Sequence, residues 1–276
     1  MSRRWLSERR RDLYHRMAKE LGYRSRAAFK LKQLNDRFGF LNGARYVLDL
    51  GAAPGGWLQV ASEAVGGDGL VVGVDLDEIS PLELGNVRTL IGDVTEEGTL
   101  KRIRGAFPGR VDVVLSDMAP NVSGVWEVDH QRQIHLARRA LKLARDLLRP
   151  DGWVVVKVFQ GSDYGRFLAE VRNAFEFVKV VKPKASRKGS AEVYVVARDL
   201  KADRLVSSGL YPERIYDASS FRNRATRAFA WMTGLPVLSL INCFIPWPNP
   251  MQLRSMRSRS CPARRPASSS NSSSGP

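Results

Sequence analysis

Cysteine and histidine are nearly missing from this sequence. Cys243 and Cys261 form no C-x-x-C pair, and His15, His130 and His135 have no partner at the spacing of zinc ligands. No metal site is expected. Long apolar runs are missing too. Leu235 to Trp247 is apolar, but Pro236 and Pro246 interrupt it, and it falls short of the roughly 20 residues that span a bilayer. No membrane partner is expected. The N-terminus has no secretory h-region, so the expected setting is reducing and cytoplasmic. Also absent is G-x-G-x-x-G, the turn that carries a dinucleotide pyrophosphate to a helix N-terminus.

Acidic residues are scarce at the two ends. Residues 1–46 carry 13 Lys/Arg against 4 Asp/Glu, and residues 201–276 carry 11 against 3. Residues 47–200 are balanced, with 20 against 21. The net charge of +16 therefore resides in the flanks of a neutral body. An evenly solvated surface would not segregate charge in this way, so a polyanion partner is expected, most simply RNA. Three regions follow: a basic extension over 1–22, a body over 23–200 and a second basic extension over 201–276. Arg-rich residues 3–19 and residues 221–231 have the composition of basic helices. Residues 254–276 are Arg, Ser and Pro, and disorder is expected there.

The body is organised around Tyr46-Val-Leu-Asp-Leu-Gly-Ala-Ala-Pro-Gly-Gly-Trp57. A short apolar run reads as a buried strand, Gly51 to Gly56 as a turn, and Trp57 to Val65 as a helix. Strand, glycine turn and helix open a parallel α/β sheet, whose ligands bind at the carboxyl ends of the strands. Gly55 and Gly56 allow backbone and ligand to approach closely, which suits a nucleoside ligand without phosphates. Three further runs, 70–75, 87–93 and 111–117, each end in an acid: Asp75, Asp93 and Asp117. One such Asp is commonly a helix cap, but three on the same edge favour a polar ligand, and Asp75 can accept both hydrogen bonds of a ribose diol. Glu127 to Leu148 reads as a long amphipathic helix stopped by Pro150 and Gly152.

Trp153 to Phe159 is a fifth strand. Lys157 interrupts its apolar run, and a buried lysine is rare unless it is paired or functional. Asp163 to Phe175 is helical, and 177–181 with 191–197 read as a closing antiparallel hairpin at the sheet edge. Between these strands lies a basic loop from Lys182 to Ser190. Glu192 opens the last strand, either as an edge residue or facing the site. Lys30 falls on a helix that Ser25 would cap, off the face of Ala28, Leu31 and Leu34; taken alone it reads as a solvated lysine. Alternating strands and helices give an α/β, doubly wound, mostly parallel sheet.

Five stretches together carry a resemblance. They are Arg24-Ser-Arg-Ala-Ala-Phe-Lys-Leu31, Asp49 to Trp57, Ser116-Asp-Met-Ala-Pro-Asn-Val-Ser-Gly124, Val156-Lys-Val-Phe-Gln-Gly161 and Ser186-Arg-Lys-Gly-Ser-Ala-Glu-Val-Tyr194. In this order they resemble the FtsJ/RrmJ ribosomal RNA large-subunit 2′-O-ribose methyltransferases over residues 23–197. The resemblance implies a seven-stranded Rossmann-like methyltransferase sheet and S-adenosylmethionine as cofactor. It implies a catalytic set of Lys30, Asp117, Lys157 and Glu192, with Lys157 as proton acceptor, and so overturns the solvated reading of Lys30. It implies cofactor contacts at Gly55, Trp57, Asp75, Asp93 and Asp117. The implied reaction is 2′-O-ribose methylation of RNA, with a uridine of large-subunit rRNA as target. Lys157 would act as a neutral base or as a charged group that orients the hydroxyl, and the sequence leaves both open. The alternatives are a tRNA or mRNA-cap 2′-O-methyltransferase and a non-catalytic RNA-binding ribosome-assembly factor. The four polar residues argue against the last, because a binding module has no need of a lysine in its fifth strand.

Overall fold

The computed structural model describes residues 12–187 and 189–201. The basic stretch before residue 12, Lys188 in the basic loop and everything expected of residues 202–276 lie outside the described residues. Seven strands are present: β1 (Tyr46–Leu50), β2 (Leu70–Asp75), β3 (Val87–Ile91), β4 (Val111–Ser116), β5 (Leu148–Phe159), β6 (Phe175–Val181) and β7 (Glu192–Leu200). The helices among the described residues are α1 (Leu13–Glu20), α2 (Ala28–Phe38), α3 (Gly56–Val65), α4 (Glu97–Ala106), α5 (Trp126–Leu147) and α6 (Tyr164–Ala174). The strands form one sheet in the order β3-β2-β1-β4-β5-β7-β6. The first five run parallel, and β7 is antiparallel to both β5 and β6.

Strands covered on both faces read as nearly continuous apolar runs, and the alternation along each one assigns its residues to two separate cores. Val47, Val113 and Val155 face α2 and α3, where Leu31, Leu34, Trp57 and Leu58 pack. Leu48, Leu50, Val114 and Val156 face the other layer, built from Leu100 and Ile103 of α4, Ile134 and Leu141 of α5 and Phe167 of α6. The expected doubly wound, seven-stranded sheet is therefore the observed one.

The differences lie at element ends. Helix α2 begins at Ala28 with Ala27 in the cap position and no side-chain cap bond; Ser25 serves it through its carbonyl, which accepts the Ala28 N–H at 3.2 Å. Strand β3 stops at Ile91, so Asp93 lies in the turn beyond it. Strand β5 begins at Leu148, well before Trp153, because pairing with β4 starts at Val111↔Leu148 and resumes after an irregularity at Val113↔Trp153. A bulge of this kind tolerates Pro150, whose missing N–H no ladder bond requires. The closing pair is the expected antiparallel hairpin at the sheet edge, with its second strand on the inner side. Strand β7 is inserted between β5 and β6, so Glu192 lies on an interior strand.

Asp112 holds the start of β1 in place. Its Oδ2 accepts the backbone N–H groups of Arg45 and Tyr46 at 2.8 and 2.7 Å, and its other oxygen pairs with Arg149. An Asp112→Ala change leaves both N–H groups without their acceptor, at about 1–3 kcal/mol. Thermal unfolding should register a clear drop in Tm; an unchanged Tm would show that the contact contributes nothing.

Candidate active site

The carboxyl ends of β1 to β5 and the start of β7 meet along one edge. On the β4–β5–β7 side, four elements deliver charged side chains to one point. Lys157 comes from β5, Asp117 follows β4 directly, Glu192 begins β7, and Lys30 is in the first turn of α2. Lys157 Nζ lies 3.0 Å from Asp117 Oδ1 and also donates to the Asp117 backbone carbonyl. Lys30 Nζ lies 2.7 Å from Glu192 Oε1, and each of these two side chains is only 12% exposed. The structure thus brings together all four residues of the expected catalytic set, and Lys30 is not a solvated lysine.

The sequence reading missed the residue that joins the two pairs. Tyr194 is completely buried. Its hydroxyl donates to Asp117 Oδ1 at 2.7 Å and accepts from Lys30 Nζ at 3.2 Å. Strand alternation was the available signal, since Tyr194 is two residues from Glu192 and therefore on the same face. Burial, then the Asp117 and Glu192 charges, push the phenol well above its usual range, so it remains a donor. Burial alone would raise the Asp117 carboxyl, but the charges of Lys157 and Lys30 and the Tyr194 hydrogen bond together hold it below the usual carboxylate range.

The β1–β2–β3 side holds the glycine turn. Gly51 has φ +77, and a Cβ there would come within 2.8 Å of the Met118 backbone, so only glycine lets the Asp117–Met118 segment close over the end of β1. Asp75 ends β2 and accepts the Ala53 N–H on Oδ2 at 2.8 Å and the Asp77 N–H on Oδ1 at 3.1 Å. Its carboxylate is thereby fixed beside the turn, with lone pairs remaining for a ligand. Arg24 donates to the carbonyls of Pro54, Ser80 and Pro81, which ties the turn to the segment after β2. Gly55 caps α3. Trp57 does not offer its ring to the crevice: the side chain is buried, its indole N–H donates to the Ala27 carbonyl at 2.8 Å, and the ring packs 5.9 Å from that of Tyr194. What Trp57 has for a ligand is its backbone N–H, in the first turn of α3, where such groups lack intrahelical partners. Asp93 stands apart at the rim, where the Thr95 backbone N–H and hydroxyl hold its carboxyl below the usual range. Asp49, on β1, is wholly buried, and neither carboxylate oxygen has a hydrogen-bond partner among the described residues. In the sequence it stands out only as the first residue of the glycine-turn motif. An orphaned carboxylate under the turn, with Asp75 and Asp117 at the neighbouring strand ends, fits a nucleoside ligand that carries positive charge.

The FtsJ-like methyltransferase model matches residues 23–200. The chain belongs to that family. Methyltransferases of this family carry the match at high identity. The protein named ribosomal RNA large subunit methyltransferase E of Methanothrix thermoacetophila is 51% identical over 209 residues, 76% of this chain and 78% of its own length. The protein of the same name in Methanocaldococcus jannaschii is 49% identical over 199 residues, 71% of this chain and 81% of its own. A Plasmodium falciparum crystal structure assigned as a ribosomal RNA methyltransferase superposes with a TM-score of 0.58 at 26% identity, covering 64% of this chain and 98% of the solved one. Among the described residues no helix of the methyltransferase is long and apolar enough to cross a membrane.

Burial, then the charges of Asp117 and Asp75, push the Asp49 carboxyl well above the usual range. An unfolded Asp ionises near pH 3.9 (about the model-peptide value). The folded protein therefore holds a proton that the unfolded chain has lost, and this proton-linked stability, full below that pH, is lost as pH rises through the folded pKa. Asparagine mimics the protonated acid without this loss. In the cofactor-free methyltransferase, Asp49→Asn should raise Tm by a margin that grows with pH above about 4. A margin independent of pH would contradict a raised Asp49 pKa.

Proposed function

We propose that this methyltransferase uses S-adenosylmethionine to methylate a ribose 2′-oxygen of RNA, with large-subunit rRNA as its substrate. The observation that carries the reading is the hydrogen-bonded array Glu192–Lys30–Tyr194–Asp117–Lys157, set beside the glycine turn and Asp75. Relatives named for large-subunit rRNA and the basic flanks of the sequence support RNA as the acceptor.

Bound at the turn, S-adenosylmethionine supplies a methyl group already activated by a sulfonium. Asp75 would accept the ribose diol of the cofactor, Asp93 would hold its base, and the Gly55 and Trp57 backbone would hold its amino-acid end. The Asp117 carboxylate would face its positive charge. What remains for the protein is to align the acceptor oxygen and take its proton. To act as the base, Lys157 would first release its ammonium proton to solvent, and the neutral amine would then receive the hydroxyl proton at Nζ as the oxygen attacks in line. Asp117 orients Lys157, with Tyr194 fixing the Asp117 oxygen. Lys30, held by Glu192, binds the acceptor ribose and phosphate. The basic loop from Lys182 to Ser190 adds phosphate contacts, which supply affinity rather than sequence choice.

Two variants test this reading. Lys157→Met replaces a 7% exposed ammonium with an apolar chain of similar length, while Asp117 keeps the hydrogen bond from the Tyr194 hydroxyl. The variant should fold and bind S-adenosylmethionine normally, and its single-turnover transfer should fall by at least about 10²-fold. Full activity at a normal Tm would refute the role. Asp75→Ala removes the diol acceptor and should weaken cofactor binding in calorimetry by about 1–3 kcal/mol; unchanged affinity would remove Asp75 from the cofactor site. A wild-type protein that binds NAD tightly and not S-adenosylmethionine would refute the cofactor.

A further inference from the structure

Beyond Lys157 the fold presents a second built feature. Trp126 is the first residue of α5, and its side chain is 49% exposed. Its ring lies 6.0 Å from Phe159 at an interplanar angle of 20°, and 6.1 Å from His130 at 21°. The support beneath is rigid. His130 is fully buried, and its Nε2 accepts the Asp163 N–H at 3.1 Å. A Cβ on Gly161 would fall 2.6 Å from His130 Nδ1, so the backbone closes directly against the imidazole. Glu127 accepts the Ser162 hydroxyl at 2.7 Å and Gln131 donates to Asp163, which ties the start of α5 to the segment after β5. In the segment that leads into α5, Val122 and Val125 are also exposed, at 76% and 57%. Such clustering on a surface marks a place where something binds.

Its position says what. Phe159 is two residues beyond Lys157 on β5, roughly 7 Å along the strand, and its ring turns to the start of α5. It is also the register partner of Glu192. The glycine turn follows β1 and Asp75 ends β2, both on the other side of β4 from β5 in the sheet order, so the residues proposed to hold the cofactor lie away from Phe159. What reaches this side of Lys157 is the acceptor strand. Single-stranded RNA offers bases that leave their own stack, and aromatic side chains are the surfaces on which such bases come to rest.

We propose that the Trp126–Phe159 stack is a nucleobase platform, which receives one unstacked base of the RNA strand whose ribose lies at Lys157. The inference rests on RNA being the acceptor. Every base has a π-face, so the platform contributes affinity and positioning with little choice among bases.

The test uses the full chain as wild type, Trp126→Ala and Trp126→Phe. The probes are a short fluorescent oligouridylate and an abasic oligoribonucleotide of the same length and charge. The quantity read is the ratio of the two affinities within each variant, which a change in folded fraction leaves untouched. The wild type should prefer the base-bearing strand, and Trp126→Ala should lose about 5- to 100-fold of that preference. Trp126→Phe should keep most of it. The KM for transcribed large-subunit rRNA should rise in Trp126→Ala, while its affinity for S-adenosylmethionine stays at the wild-type value. A preference that survives Trp126→Ala, or a wild type with no preference, overturns the platform. A wild type that keeps the preference but transfers no methyl group to RNA would refute the proposed function and leave the platform standing.

Discussion

A lysine ammonium buried in a sheet needs a counter-charge close by, and the counter-charge in turn needs its remaining lone pairs filled. Lys157 meets Asp117; Asp117 takes the Tyr194 hydroxyl; Tyr194 receives Lys30; Lys30 closes on Glu192. Two positive and two negative charges leave the array neutral. Because the members come from α2, β4, β5 and β7, satisfying them fixes the relation between a helix outside the sheet and three of its strands. Removing any one member leaves a charge or a hydroxyl unpaired in a poorly solvated place, and networks of this kind are worth more than their separate pairs.

The sheet order divides the labour along its edge. Successive parallel strands run outward from β1 to β3 in one direction and from β4 onward in the other, so the chain switches sides between β1 and β4. Such switch points leave a crevice at the carboxyl ends of the strands. The glycine turn follows β1 and Asp117 follows β4, so they stand on the two sides of that crevice. Asp75 and the turn thus belong to the proposed cofactor half, and Lys157, Glu192 and the Trp126 ring to the acceptor half.

Much of this was legible in the sequence because strands buried on both faces announce themselves as apolar runs, and because the acids at 75 and 117 fall where those runs end. The insertion of β7 was not legible. Strand order depends on pairing between distant segments, and 177–181 with 191–197 look like neighbours in either arrangement. The early start of β5 was hidden by Pro150, which reads as a breaker unless the bulge opposite is known. Lys30 illustrates the same limit from the other direction, since helical periodicity alone sends it to solvent and only the fold, or the resemblance, brings it to Glu192. Tyr194 and Asp49 pass for ordinary members of buried strands until the facing elements are placed. Trp126 passes for the residue before an amphipathic helix, because nothing local reveals that Phe159 lies beneath it.

The interior position of β7 also governs when the site comes into being. During synthesis β1 to β5 emerge first and can pair in order, yet β6, which appears before β7, has no direct partner in β5. Only when residues 192–200 have left the ribosome can they enter between β5 and β6, and the same event delivers Glu192 and Tyr194 to the array. A nascent chain that already has its glycine turn, Asp75 and Lys157 therefore still lacks the hydroxyl that joins the two ion pairs. Completion of the sheet and completion of the array are a single step, so a half-made chain cannot hold the five side chains in their finished relation.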